Sequence, residues 1–390
     1  MPYLKDKHER GLRSKTIAIG IDPLKALTTG IDNIAIGTSV ADALTTGICN
    51  VAIGANALGA STTGCYNVAI GHAAMHTGVT TGIKNVAIGQ AAGCQLTSGF
   101  NNVAVGPDAL GESTTGCTNV AIGSAAMGVG DTTGINNVAI GTTAMDALTS
   151  GICNVAIGTN ALGAATTGCL NVAIGNLALG AGVLTGKENV AIGVSTMTAL
   201  TSGLFNVALG PGAMAVATTG CRNVGIGVNA LGAAALTGNY NVGISNGAGD
   251  ALTSGAKNVA IGLNAFGAAT TGTQNVAIGD QALGAADTTG NENIALGLQT
   301  MDALTSGTNN VAIGSAAFGA ATTGCHNVAI GSSALKEACG IYNVGIGGNA
   351  GDALTTGHNN IALGLNALGT ATTSQYNISL GHSSMAAATT

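Results

Sequence analysis

Tryptophan is absent, proline occurs four times, and 7% of the residues are charged, against about 25% in an ordinary domain. Aromatic residues make up 2% of the chain. This poverty argues against a conventional enzyme with a large mixed core and a charged active site. So little proline excludes collagen, which also needs glycine at every third position. Every apolar run is broken by Asn, Gly or Thr, so no stretch of about 20 apolar residues is present to insert in a membrane. Basic residues are scarce: six of the 11 Lys and Arg lie after Lys15, and the net charge is −6. That leaves no basic patch for nucleic acid. The opening segment, 1–15, carries the other five basic residues and lacks the apolar region of a secretory signal. It reads as a polar cap or attachment tail. Disorder is disfavoured as well, because 46% apolar residues with few charges do not stay solvated.

What the chain has in abundance is glycine, 64 in 390 residues, and a repeat. Asn-Val-Ala-Ile-Gly or a close variant starts at Asn33, Asn50, Asn67, Asn85 and onward to Asn377, with one more copy opening at Thr16, 22 in all. The spacings run 17, 17, 18 and then repeat until a single 16 after Asn327, so the super-repeat is 52 residues and spans three units. Residues 50–66, NVAIGANALGASTTGCY, are a complete unit, and places are numbered from its Asn. First-kind units carry Asp-Ala-Leu-Thr-Ser/Thr-Gly, as in 146–151, second-kind units Leu-Gly-Ala-x-Thr-Thr-Gly, and third-kind units usually the extra residue.

Val51 and Ile53 are β-branched and alternate with Ala52, the period-two signal of a strand. Gly54 and Gly64 punctuate it as turns. One unit cannot fold alone. Burying Val51, Ile53 and Leu58 yields about 5–8 kcal/mol, whereas ordering the unit costs about 17–34 kcal/mol. Stacking of units is therefore required. The expected fold is all-β: a parallel β-solenoid over 16–390 as one continuous domain, one unit of 17–18 residues per coil. At about 4.8 Å per coil it would be a rod of roughly 100 Å.

Several columns follow from stacking. The leading Asn, at Asn33, Asn50, Asn67 and Asn85 among others, is expected to form an amide ladder along the rod. The thirteenth-place Thr, such as Thr62, reads as a hydroxyl ladder, with an ice- or mineral-binding array as the sharper alternative. The third place is Ala in 18 copies, Gly in three and Ser in one. With Val and Ile taken as facing inward, this stripe faces outward and reads as a subunit contact, represented by Ala156, Ala173 and Ala191. The rival reading is that the chain's own layers cover it. The first coil, at Ile17, and the last, at Ile378 and Leu380, are expected to join end to end between molecules. Because the Val and Ile places hardly differ between unit kinds, the 52-residue period is expected to belong to the surface.

No pattern of catalytic, cofactor-binding or metal-ligating residues stands out. Cys65, Cys117, Cys169, Cys221 and Cys325 share the sixteenth place, three or more coils apart, too far for intrachain disulfides. They read as free thiols, with interchain bonds as the alternative. There is no CxxC, and His72 and His76 have a spacing that aligns ligands only on a helix. The recurring Asp42, Asp146, Asp250, Asp302 and Asp352 are too far apart to act as paired carboxylates.

The string NVAIG-x-x-A-L resembles the head repeats of trimeric autotransporter adhesins of the YadA-like kind, and similar strings with TTG turns occur in phage tail-fibre and giant-virus repeat proteins. The resemblance covers 16–390. For the adhesin heads it implies a left-handed parallel β-roll, three chains side by side and a surface-adhesive role. The unit here is longer, and no heptad stalk, signal peptide or membrane anchor accompanies it. The function expected on both grounds is a non-enzymatic structural fibre. It would assemble with itself, as a homo-oligomer or trimer, by end-to-end and lateral packing. The runner-up is a surface or virion adhesin with a cell-surface or glycan receptor, and an ice- or mineral-binding solenoid is the weaker third. The setting expected is extracellular or the virion surface, with no nucleic acid, cofactor or membrane insertion.

Overall fold

The computed structural model describes residues 15–386. The cap or tail expected at 1–15 lies outside these residues apart from Lys15. The chain divides into two compact units, 1–195 and 196–390. The first holds eleven three-residue strands, β1 (Ile17–Ile19) to β11 (Val190–Ile192), and the second eleven more, β12 (Val207–Leu209) to β22 (Ile378–Leu380). No helix occurs among the described residues. Within each unit every strand pairs in parallel with the next, place on place, as in Val51 with Val68 and Ile53 with Ile70. In the second unit Val259 meets Val276 and Ile261 meets Ile278 in the same way. Both units are thus β-solenoid, one repeat per coil.

The leading Asn fastens each coil to the next. Asn154 is fully buried and donates its side-chain amide to Gly168 O at 2.8 Å, closing its own coil. Its Oδ1 accepts from the backbone N–H of Asn171 at 3.0 Å and from that residue's amide at 3.2 Å. Asn33, Asn50, Asn67 and Asn85 form the same ladder, with Asn50 N donating to Asn33 Oδ1 at 3.0 Å and Asn85 N to Asn67 Oδ1 at 2.9 Å. At each of these rungs the amide nitrogen donates and the amide oxygen accepts, which is what a buried polar column requires.

The strand faces are the reverse of the sequence expectation. The third-place Ala is the residue that points inward: Ala156, Ala173 and Ala191 are all at 0% exposure. Val and Ile of the same strands are half-buried or exposed, as in Val155 and Ile157. The cause is the narrow coil. The eighth-place Ala and the ninth-place Leu, Met or Phe, such as Ala57 and Leu58, are wholly buried as well. They come so close to the third place that little beyond a methyl fits. Where the third place is Gly, an added Cβ would lie 3.0 Å from Met214 Cγ at Gly225 and 2.7 Å from Leu335 Cγ at Gly345. A branched side chain has no room there, so the Ala stripe is covered by its own chain and is not a subunit contact.

The 52-residue period has a cause inside the coil. At the twelfth place first-kind coils bury Leu, as Leu44 and Leu148, and second-kind coils bury Ser or Ala, as Ser61 and Ala165. Third-kind coils bury Thr or Leu two places later, as Thr80 and Leu184. The two ninth-place phenylalanines go with a small twelfth-place residue: Phe266 with Ala269, and Phe318 with Ala321. The polar members are bonded, Ser61 Oγ to Thr80 O at 2.9 Å and Thr80 Oγ1 to Leu96 O at 2.9 Å. The places where the unit kinds differ, the tenth to twelfth among them, therefore do not belong to the surface alone, because the twelfth is buried. The lengthened turn of the third-kind coils does also reach the surface, as in the exposed Val79, Val129 and Val183.

The fifth-place Gly lets coils stack. Gly54 has φ +123°, and a Cβ there would sit 2.6 Å from the carbonyl oxygen of Gly71 in the next coil. Ser245 occupies this place in one coil with φ +111°, a conformation costly for any residue with a side chain. Ser245→Gly should therefore raise stability by about 1–2 kcal/mol in thermal melts. Asn154→Ala should lower it by about 2–4 kcal/mol, since the Gly168 carbonyl and the Asn171 N–H lose their partners in a dry interior. A melt unchanged by Asn154→Ala would show that the ladder is ornamental.

Candidate assembly face

With Ala turned inward, the second and fourth places form two outward columns on the strand face of each unit. The second place is Val or Ile in all 22 copies, and the fourth is Ile, Leu or Val in all 22. Several fourth-place residues are bare, Ile122 at 37% exposure, Ile157 at 38% and Leu363 at 42%, and others such as Ile53 and Ile174 are half-buried. β-Propensity alone does not explain this composition. Thr is also β-branched and suits strands equally. It fills the turns of this chain and occurs at neither of the two places. A solvated strand face would alternate apolar and polar residues with polar ones outward.

Eleven strands at about 4.8 Å spacing, each about 10 Å long, give an apolar face of about 500 Å² per unit. The largest apolar patch on a typical monomer is about 300–600 Å² and is often functional. Neighbouring places widen the face: Ile152 at the sixteenth, Ile83 and Ile135 at the matching place of the 18-residue coils, and Val194, Leu263 and Leu298 at the sixth, are all exposed. The residues that make this face are plain in the sequence, where their hydrophobicity points to the core. The signal that finds them is the exclusion of Thr. Of the residues expected to join ends, Ile17, Ile378 and Leu380 are exposed members of these same two columns, in β1 and β22.

The other candidate residues are parts of the coil. Thirteenth-place hydroxyls reach the next coil's backbone, as Thr45 Oγ1 to Thr62 O at 3.0 Å and Thr149 Oγ1 to Thr166 O at 3.0 Å. They are the ladder expected, not a free hydroxyl array. All nine cysteines are free and half-buried. The sixteenth-place thiols link coils: Cys221 Sγ accepts from Leu204 N–H at 3.4 Å and donates to Thr219 O at 3.4 Å. Among the described residues no group of His, Cys, Asp and Glu is arranged to hold a metal ion. His72 is exposed and His76 half-buried on one coil. The first-kind aspartates serve turns, Asp302 Oδ1 accepting from Ala285 N–H at 2.9 Å. Set against known protein families and curated proteins, the chain matches none of them.

Burial pushes the carboxyls of Asp146, Asp250, Asp302 and Asp352 above the ordinary carboxylate value, and at Asp250 it is the sole influence. An acid whose folded value is raised favours the fold while protonated, and that contribution is lost as pH rises through the raised value. Asp250→Asn should therefore gain stability relative to the parent between about pH 3 and about pH 7. Equal melting differences at both pH values would contradict the assignment.

Proposed function

We propose that this chain is a non-enzymatic structural protein that builds fibres from copies of itself. The observation that carries the reading is the Val and Ile double column, apolar in every coil and turned to solvent. An exposed column of identical branched side chains, repeated at the ladder spacing, is matched best by another copy of itself. Two such faces interdigitate as a dry zipper with sheets about 10 Å apart. End-to-end packing is supported by the parallel in-register ladder, which an identical coil from another molecule would extend without change of register. The proteins that the repeat resembles act on cell or virion surfaces, and the proposal extends to that setting.

The lateral contact thus moves from the Ala stripe to its neighbours on the same strands. Replacing Ile122, Ile140 and Ile157 together by Lys should reduce the assembly to its smallest soluble species by light scattering and electron microscopy. The β-sheet circular dichroism should survive, because those side chains already meet water in the isolated chain. Ala173→Glu should instead unfold its coils, since that place is buried. Fibres that persist in the triple Lys variant would sink the proposal.

A further inference from the structure

The last place before the leading Asn has a property that neither the fold nor the assembly face explains. In all 21 copies its φ lies between 56° and 61°, the left-handed region. For residues other than Gly, Asn and Asp this conformation costs about 1–2 kcal/mol. Two other left-handed places occur in each coil, and both use glycine at times: Gly212 and Gly247 at the seventh, Gly93 and Gly249 at the ninth. The last place never does, in a chain with 64 glycines. Its bulky members are not needed for the core, since Tyr66 is 51% exposed, Tyr240 51%, Tyr342 53% and Tyr376 73%. These are all the tyrosines among the described residues, and they share this one column.

In the second unit the column is organised. Phe205, Arg222 and Tyr240 occupy it on successive coils, and so do Tyr342, Asn359 and Tyr376. Each set places two aromatic rings about 9.6 Å apart with one polar rung between them. The rings are held in place. The Arg222 guanidinium lies 5.1 Å from the Phe205 ring centroid and 5.4 Å from that of Tyr240, and its Nη1 donates to Tyr240 Oη at 3.1 Å. His326 stacks on Tyr342 at 5.0 Å, and His358 meets Tyr376 edge-on at 5.7 Å.

We propose that these two sets are binding platforms for an extended, neutral, β-linked glycan chain. A row of exposed rings with no enclosing pocket suits a ligand that is itself flat and long, with C–H faces to stack and hydroxyl edges to bond. A pyranose chain has both. The rungs two coils apart suit sugars two units apart that present the same face, and Arg222 and Asn359 lie where hydroxyls of the intervening sugar would pass. The net charge of −6 disfavours a polyanion. A second copy of the chain suits the column poorly, because its residues change from coil to coil, unlike the uniform Val and Ile columns.

The test measures binding of the full chain to cellohexaose and chitohexaose by calorimetry, with α-linked maltohexaose as comparator. At least one β-linked sugar should bind, and maltohexaose should not. The double variant Tyr240→Gly, Tyr342→Gly should bind about tenfold more weakly, while Tyr240→Phe should keep its affinity. The melting temperature of the Gly variant should hold or rise, because glycine relieves the left-handed strain. The proposal is overturned if neither β-linked sugar binds, or if binding survives the double Gly variant. It is equally overturned if that variant leaves binding intact and lowers the melting temperature, which would make the rings mere coil-to-coil staples.

Discussion

The narrowness of the coil governs everything else in this molecule. Between the strand and the opposite wall there is room for a methyl group, and Ala fills it in nearly every copy. At that place the core cannot hold Val or Ile, so the strand's most hydrophobic residues are forced outward. The chain thereby acquires an apolar face as a by-product of its own packing, and the face grows with every coil added. Cohesion must then come from elsewhere: from the buried Asn ladder, the thirteenth-place hydroxyls and the backbone bonds between neighbouring coils.

Period, strand and ladder were legible in the sequence. Asn at a fixed spacing beside a Gly turn has few other uses, and a unit that cannot fold alone has to stack. The orientation of the strand was not legible. Alternation of Val51, Ala52 and Ile53 says that two sets of side chains face opposite ways, and says nothing about which set is inside. Hydrophobicity ranks Val and Ile above Ala as core residues, and here volume overrode that ranking. The space is set by turns in which Asn56, Leu58 and Tyr66 adopt left-handed backbone. Residues such as Leu58 and Tyr66 carry no local signal for that conformation.

The same blind spot hid the column in front of the leading Asn. Its residues differ in size, charge and polarity, so as a sequence it looks like unconstrained surface. Only the dihedral angles reveal that every occupant sits in a conformation glycine would adopt freely. The uniform columns and this variable one divide the exterior between them: one kind of surface repeats without change, the other differs at each step.

Because the residue buried around the twelfth place differs among three kinds of coil, the natural quantum of growth is the 52-residue block rather than the single coil. A gene encoding such a chain can lengthen or shorten by whole blocks through unequal recombination, each step changing the solenoid by about 14 Å. Every buried neighbour then meets the neighbour it had before. Loss of two coils would set a coil against another of its own kind, Leu against Leu or Ala against Ala, so the interior acts as a reading frame and filters which length variants survive.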